Sequence, residues 1–279
     1  MSVQLHQEKS HRFGLALIEA LCEPSMLKHR VIPCLLLHKG GLVKTVKFAN
    51  PKYVGDPLNA VRIFNDKEVD ELMVLDISAT REGREPSYEL IERFAGECFM
   101  PVCYGGGIRT VEHARQLFAL GVEKVCIQSA ALEDMELLNR ISDRFGTQST
   151  LVSANIKYNW LGKPVLYCSS TSKPLARSWL QFITDAVAAG AGEVVLNAVD
   201  RDGTLSGMDF KLIHEASAAL PVPLIAMGGA SGLADIKSAV AAGASAVAAG
   251  ALFVFHGRHR AVLITYPRRE ELEELFRAE

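Results

Sequence analysis

The stretch Pro101–Arg109, PVCYGGGIR, returns as Pro223–Ser231, PLIAMGGAS, at an offset of 122 positions (228 − 106, from Gly228 and Gly106). The same offset pairs Glu71 with Glu193, Leu90-Ile91 with Leu212-Ile213, Gly121 with Gly243 and Val125 with Val247. A gapless register over about 55 residues marks a duplicated half-domain, because a long fixed period is the signature of a repeated structural unit. Each copy reads strand, helix, strand ending in Gly-Gly, helix, and a strand closing in small residues. Eight strands alternating with helices predict an α/β (β/α)₈ TIM barrel built from two duplicated half-barrels. The 279 residues suit a single such barrel, whose usual size is about 250.

The glycines also carry chemistry. A strand that ends in Gly-Gly lets backbone N–H groups approach an oxyanion closely, and two copies would place two such cradles across one barrel mouth. An ordinary tight turn after each strand is the alternative.

Composition narrows the partners. A net charge of −2 gives no reason to expect nucleic acid or an anionic membrane surface, and 49% apolar residues support a large core. No apolar run approaches the roughly 18 residues of a membrane span. The apolar stretch Phe13–Leu21 contains Glu19 and lacks a convincing cleavage site, so a secretory signal is not expected. The six cysteines show no metal-ligand spacing and read as buried free thiols of a cytoplasmic protein. No metal and no cofactor is expected.

Residues 1–25 match neither half and read as an extension, either an accessory helix or an upstream start. The barrel is expected over 26–255 and a basic and apolar tail with a charged terminal helix over 256–279. The strands are expected at Arg30–Leu37, Glu71–Ser78, Met100–Tyr104, Lys124–Gln128, Thr150–Lys157, Glu193–Val199, Leu224–Met227 and Ala246–Ala249. A long loop, His38–Pro57, reads as a lid. An insertion over Tyr158–Lys173 has hairpin-like alternation.

In such a barrel the site lies at the C-terminal strand ends. The candidates there include Leu36, His38, Asp76, Gly106, Gly107, Gln128, Ser129, Asn155, Asn197, Asp200, Asp202, Gly203 and Gly250. Asp200 or Asp202 could act as an acid–base group or orient a substrate hydroxyl; the Asp-Gly segment could equally be a turn with Asx hydrogen bonds. At the opposite rim, Arg30, Glu71, Lys124 and Glu193 each open a strand. Pointing inward, they would form a neutral ring of two cations and two carboxylates; pointing outward, they are solvated strand ends.

The motifs RVIPCL, GDP (Gly55–Pro57), ELMVLDISA, YGGGIRT, GVEKVCIQSAAL, DRDGT-x-SG and AVAAGALF resemble the cyclase subunit of imidazole glycerol phosphate synthase over about residues 26–255. The resemblance implies a TIM barrel that binds a phosphorylated small molecule. One phosphate would lie at Gly106, Gly107, Gln128 and Ser129, the other at Gly228, Gly229, Ala249 and Gly250, with Gly203 as a further phosphate-binding residue. It further implies an ammonia gate at Arg30, Glu71, Lys124 and Glu193, with a glutaminase subunit docked at the N-terminal face. Lys44 falls on the family's loop lysine. The family's two acid–base Asp positions are occupied by Leu36 and Asn155, neither of which can act as a general base. CLLLHKGGLVKT and the FHGRHRAVLITYP tail resemble the divergent paralogues of surface-polysaccharide (O-antigen) gene sets, associated with a sugar amidotransferase. Three readings follow: an ammonia-channelling subunit serving acetamido-sugar amidation; a genuine cyclase of histidine biosynthesis, with Asp76, Asp200 or Asp202 moving the protons; or a non-catalytic activator of the glutaminase.

Overall fold

The computed structural model describes residues 29–277, so the expected extension over 1–25 lies outside the described residues, as does Cys22. Eight parallel strands close a barrel: β1 (Arg30–His38), β2 (Leu72–Asp76), β3 (Val102–Gly105), β4 (Lys124–Ile127), β5 (Thr150–Tyr158), β6 (Glu193–Ala198), β7 (Leu224–Met227) and β8 (Ala246–Ala249). Each is hydrogen-bonded to the next, and β8 returns to β1 in the register Arg30↔Ala246.

The strands are apolar runs because they are covered on both faces. Val31, Leu72, Val102 and Val194 face the surrounding helices. Ile32, Met73, Cys103, Leu151, Val195 and Ile225 alternate with them and fill the bore as a separate cluster. The helix Pro57–Asp66 starts where Asp56 accepts from the Asn59 N–H at 3.1 Å, with Pro57 in the first turn. Thr110 caps the helix Val111–Ala119 in the same way, accepting from the His113 N–H at 3.1 Å. Each such cap stabilises its helix by about 1 kcal/mol.

The duplication is visible in single bonds. Leu72 N–H donates to the Pro101 carbonyl at 2.9 Å, and Val194 N–H, 122 positions on, donates to Pro223 at 3.1 Å. Glu123 N–H to Val102 O at 3.0 Å is repeated by Ser245 N–H to Leu224 O at 2.9 Å. Gly106 and Gly228 have φ of 115° and 99°, and a side chain on either would strike a carbonyl, of Asp76 or of Ala198, again equivalent positions. Glycine is required at both.

The strand boundaries fall within two residues of those expected, β7 and β8 without any shift. The stretch after β1 departs from expectation: it is a hairpin, Gly41–Val46 against Ala49–Gly55, with β1 running directly into it through Leu36↔Val43. The turn uses Lys39 at φ 50° and Gly40 at φ 81°. Leu42 through Thr45 are all buried, so the hairpin packs across the mouth. The insertion after β5 is a second hairpin, with Pro164–Cys168 antiparallel to the end of β5. The tail forms a short ladder, Phe255–His256 with Ala261–Val262, and a helix, Arg269–Phe276. Among the described residues no helix is long and apolar enough to cross a membrane.

Candidate functional site

At the N-terminal end of the barrel the four charged strand starts turn inward. Arg30 Nη1 lies 2.5 Å from Glu71 Oε2, and Arg30 Nη2 lies 3.2 Å from both oxygens of Glu193. Lys124 Nζ lies 3.0 Å from Glu71 Oε2 and 3.1 Å from Glu193 Oε1. Each cation therefore bridges both carboxylates. The side chains are 26% (Arg30), 3% (Glu71), 17% (Lys124) and 12% (Glu193) exposed, so the ring is largely desolvated. Burial works to lower the Arg30 pKa, while the charges of Glu71 and Glu193 raise it, and the net shift is upward. A ring of this kind holds because every charge has two opposite neighbours; alone, each would meet a desolvation cost of several kcal/mol. Glu71 Oε1 is buried without a hydrogen-bond partner among the described residues.

Above the ring the bore is apolar up to Leu36, Cys126 and Met227. Cys34, Cys98, Cys103, Cys126 and Cys168 are free thiols, four of them buried. Burial pushes the Cys34 thiol up to about 12, so it is no nucleophile at neutral pH.

The mouth holds two cavities. The larger, about 150 Å³, is lined by Leu36, Asp76, Gly106, Gln128, Ser129, Asn155, Asn197 and Asp202, among others. The smaller, about 20 Å³, is lined by Leu36, Lys44, Asp202, Gly203, Gly228, Gly229, Ala249 and Gly250. The two Gly-Gly ends thus open onto neighbouring cavities that share Leu36 and Asp202. They differ in room because the first hairpin inserts Lys44 into the second. The Lys44 ammonium donates to the Cys34 carbonyl at 2.5 Å, and a Cβ on Gly250 would collide with it.

Asp202 sits at the junction. Burial pushes its carboxyl up to about 6, against the Lys44 charge and the Thr45 hydroxyl, which pull it down. Thr45 Oγ1 lies 3.5 Å away, and the Lys47 N–H donates to the Asp202 carbonyl at 2.9 Å. The Lys44 pKa is lowered by burial, and Cys34 and Asp202 counter that shift.

Several expected residues are hydrogen-bonded to neighbouring segments. Asp200 accepts from the Tyr158 N–H at 2.8 Å and lines neither cavity. The Gly107 N–H donates to Thr80 Oγ1 at 3.0 Å. Gln128 is tied to the second hairpin: its Nε2 donates to Tyr167 O at 2.8 Å and its Oε1 accepts from Ser169 Oγ at 2.6 Å. Asp76 Oδ1 accepts three bonds, from Ser78 N–H, Ser78 Oγ and the Ala79 N–H. Thr45, Thr80, Arg81, Ser153 and Ser170 also line the larger cavity and were not expected there. None of the five carries a motif.

The barrel thus combines duplicated halves, glycine-edged cavities at its mouth and a charged ring at its floor. The chain belongs to the histidine biosynthesis protein family, whose model matches residues 30–260. It is 53% identical to a Pseudomonas aeruginosa protein provisionally named imidazole glycerol phosphate synthase subunit hisF2, over 89% of this chain and 99% of that one. It is 47% identical to a Leptospira interrogans protein with the provisional name imidazole glycerol phosphate synthase subunit HisF, over 90% of this chain and all of that one. With imidazole glycerol phosphate synthase subunit HisF of Exiguobacterium sibiricum it shares 39% identity, over 82% of this chain and 91% of the relative.

Proposed function

We propose that the chain is an ammonia-conducting, cyclase-like subunit of a glutamine-dependent amidotransferase. A glutaminase docks at the N-terminal face, and the product serves acetamido-sugar amidation by a sugar amidotransferase. The observation that carries this reading is the four-charge ring at the floor beneath a mouth whose Leu36 and Asn155 cannot move protons. Ammonia released below would meet the unpartnered Glu71 Oε1, an acceptor for its N–H, before an apolar bore that neutral ammonia can cross. At the mouth, the larger cavity receives the phosphorylated ligand at Gly106, Gln128 and Ser129. The smaller cavity, at Gly228, Gly229, Ala249 and Gly250, becomes available to a second anion when Lys44 swings out or pairs with it.

The test is turnover of the histidine-pathway bisphosphate substrate with ammonium supplied directly. It should fall about four orders of magnitude below a competent cyclase, because two proton-transfer groups worth about 10²–10⁴-fold each are missing. The chain should likewise fail to complement a strain lacking the histidine cyclase. Robust growth would overturn the proposal.

A genuine cyclase is the second reading. Asp202 favours it: a carboxyl raised to about 6, facing both cavities beside Lys44, suits general acid–base catalysis near neutral pH. Complementation that depends on Asp202 would establish that reading.

A further inference from the structure

The lower part of β1 lacks a neighbour on one side. Arg30 through Pro33 pair with β8, whereas pairing with β2 begins only at Cys34↔Met73. The gap lies where Arg30 and Glu71 face one another, one strand carrying the cation and the other the carboxylate. Unpaired backbone groups there would loosen the strand starts that aim both side chains.

Tyr266, from the tail, fills that gap. Its hydroxyl donates to the Val31 carbonyl at 2.8 Å. The same oxygen accepts from the Asp70 N–H, and the Asp70 carboxylate accepts from the Val31 N–H. Val31 adjoins Arg30, and Asp70 adjoins Glu71. One phenol thus joins the residue next to the cation with the residue next to the carboxylate. The ring itself is held rigidly: Tyr266 is 9% exposed, its centroid is 5.3 Å from that of Phe253, and the neighbouring Thr265 N–H donates to the Phe253 carbonyl at 2.9 Å. Phe253 sits in the helix that directly follows β8, so the anchor is part of the barrel wall.

We propose that Tyr266 is a positioning residue for the floor ring, its hydroxyl replacing the missing β1–β2 ladder bonds and fixing the Arg30–Glu71 contact. Its bearing on ammonia transfer rests on the conduit reading above.

The test is Tyr266→Phe, which keeps the ring packing and removes only the hydroxyl, in complex with the glutaminase. Amide exchange at Asp70 and Val31 should quicken by about tenfold or more, since the Asp70 N–H loses its acceptor. Glutamate released per aminated product should rise above one, as it should in Arg30→Ala. If Arg30→Ala uncouples and Tyr266→Phe does not, the positioning role is wrong. If neither uncouples, the conduit reading fails, and a structure of Tyr266→Phe decides the positioning role: an unchanged Arg30–Glu71 contact overturns it, and a displaced Arg30 upholds it.

Discussion

The ammonium of Lys44 hydrogen-bonds the backbone carbonyl of Cys34 at 2.5 Å, fastening the first hairpin to the barrel strand from which it springs. The side chain is buried, and the space it uses exists because residue 250 has no Cβ. A methyl there would also lie 3.0 Å from the Cys34 carbonyl oxygen.

Gly250→Ala should therefore expel Lys44 and loosen the hairpin. The cost of such overpacking is about 1–3 kcal/mol, or several degrees in thermal midpoint for a chain this size. In a Lys44→Ala background the same change should cost much less. A wild-type midpoint for Gly250→Ala alone would show that Lys44 has another place to go.

Asp202 should titrate visibly. Its carboxyl is raised from an ordinary value near 4 to about 6, chiefly by burial. The folded state therefore holds a proton over that interval that the unfolded state has lost. The stability this proton contributes is fully present below about pH 4 and is lost as pH rises through 6, on the order of 2–3 kcal/mol. Carboxyl-carbon NMR should report a midpoint near 6 that vanishes in Asp202→Asn. In Lys44→Met it should move upward, because the charge that pulls it down is gone. An unchanged midpoint would mean that Lys44 is not charged beside it.

Stability of the floor ring should be strongly non-additive. With either Arg30→Ala or Lys124→Ala, both carboxylates keep one cation, so each single change should cost only about 1–2 kcal/mol. Removing both strands Glu71 and Glu193 in a desolvated site, and the double variant should exceed the sum by about 1–3 kcal/mol. Denaturant melts of the four proteins would measure it. Additivity would mean that each cation serves one carboxylate.

The barrel was legible in the chain because its period is. Gly106 and Gly228 answer the same steric demand 122 positions apart, and repeated demands leave repeated letters. The four floor residues were legible as strand starts, yet their cross-linked pattern was not, since spacing along a chain says nothing of distance across a barrel. The first hairpin reads as a loop in the sequence because Gly40-Gly41 and Asn50-Pro51 look like loop punctuation. Both faces of its first strand are buried from Leu42 through Thr45, so the letters LVKTV show no apolar–polar alternation. Asp200 and Asp202, two residues apart, could not be told apart by letters. One is spent on the Tyr158 amide and the other faces the cavities, a distinction made by the backbone turn between them. Tyr266 carries no motif, because a single phenol that completes a ladder can come from any segment that reaches it.

The offset that relates the two halves also relates Glu71 to Glu193, but it carries neither Arg30 nor Lys124 onto another cation. Both cations belong to the first half, and Glu193 is the sole contribution of the second. The ring is accordingly a clasp across the seam of an ancient pairing. Each half keeps its own hydrogen bonds if the two shift as rigid bodies, while the reach from Arg30 and Lys124 to Glu193 changes at once. A rotation between the halves would therefore register first at Glu193, the one ring member that the second half supplies.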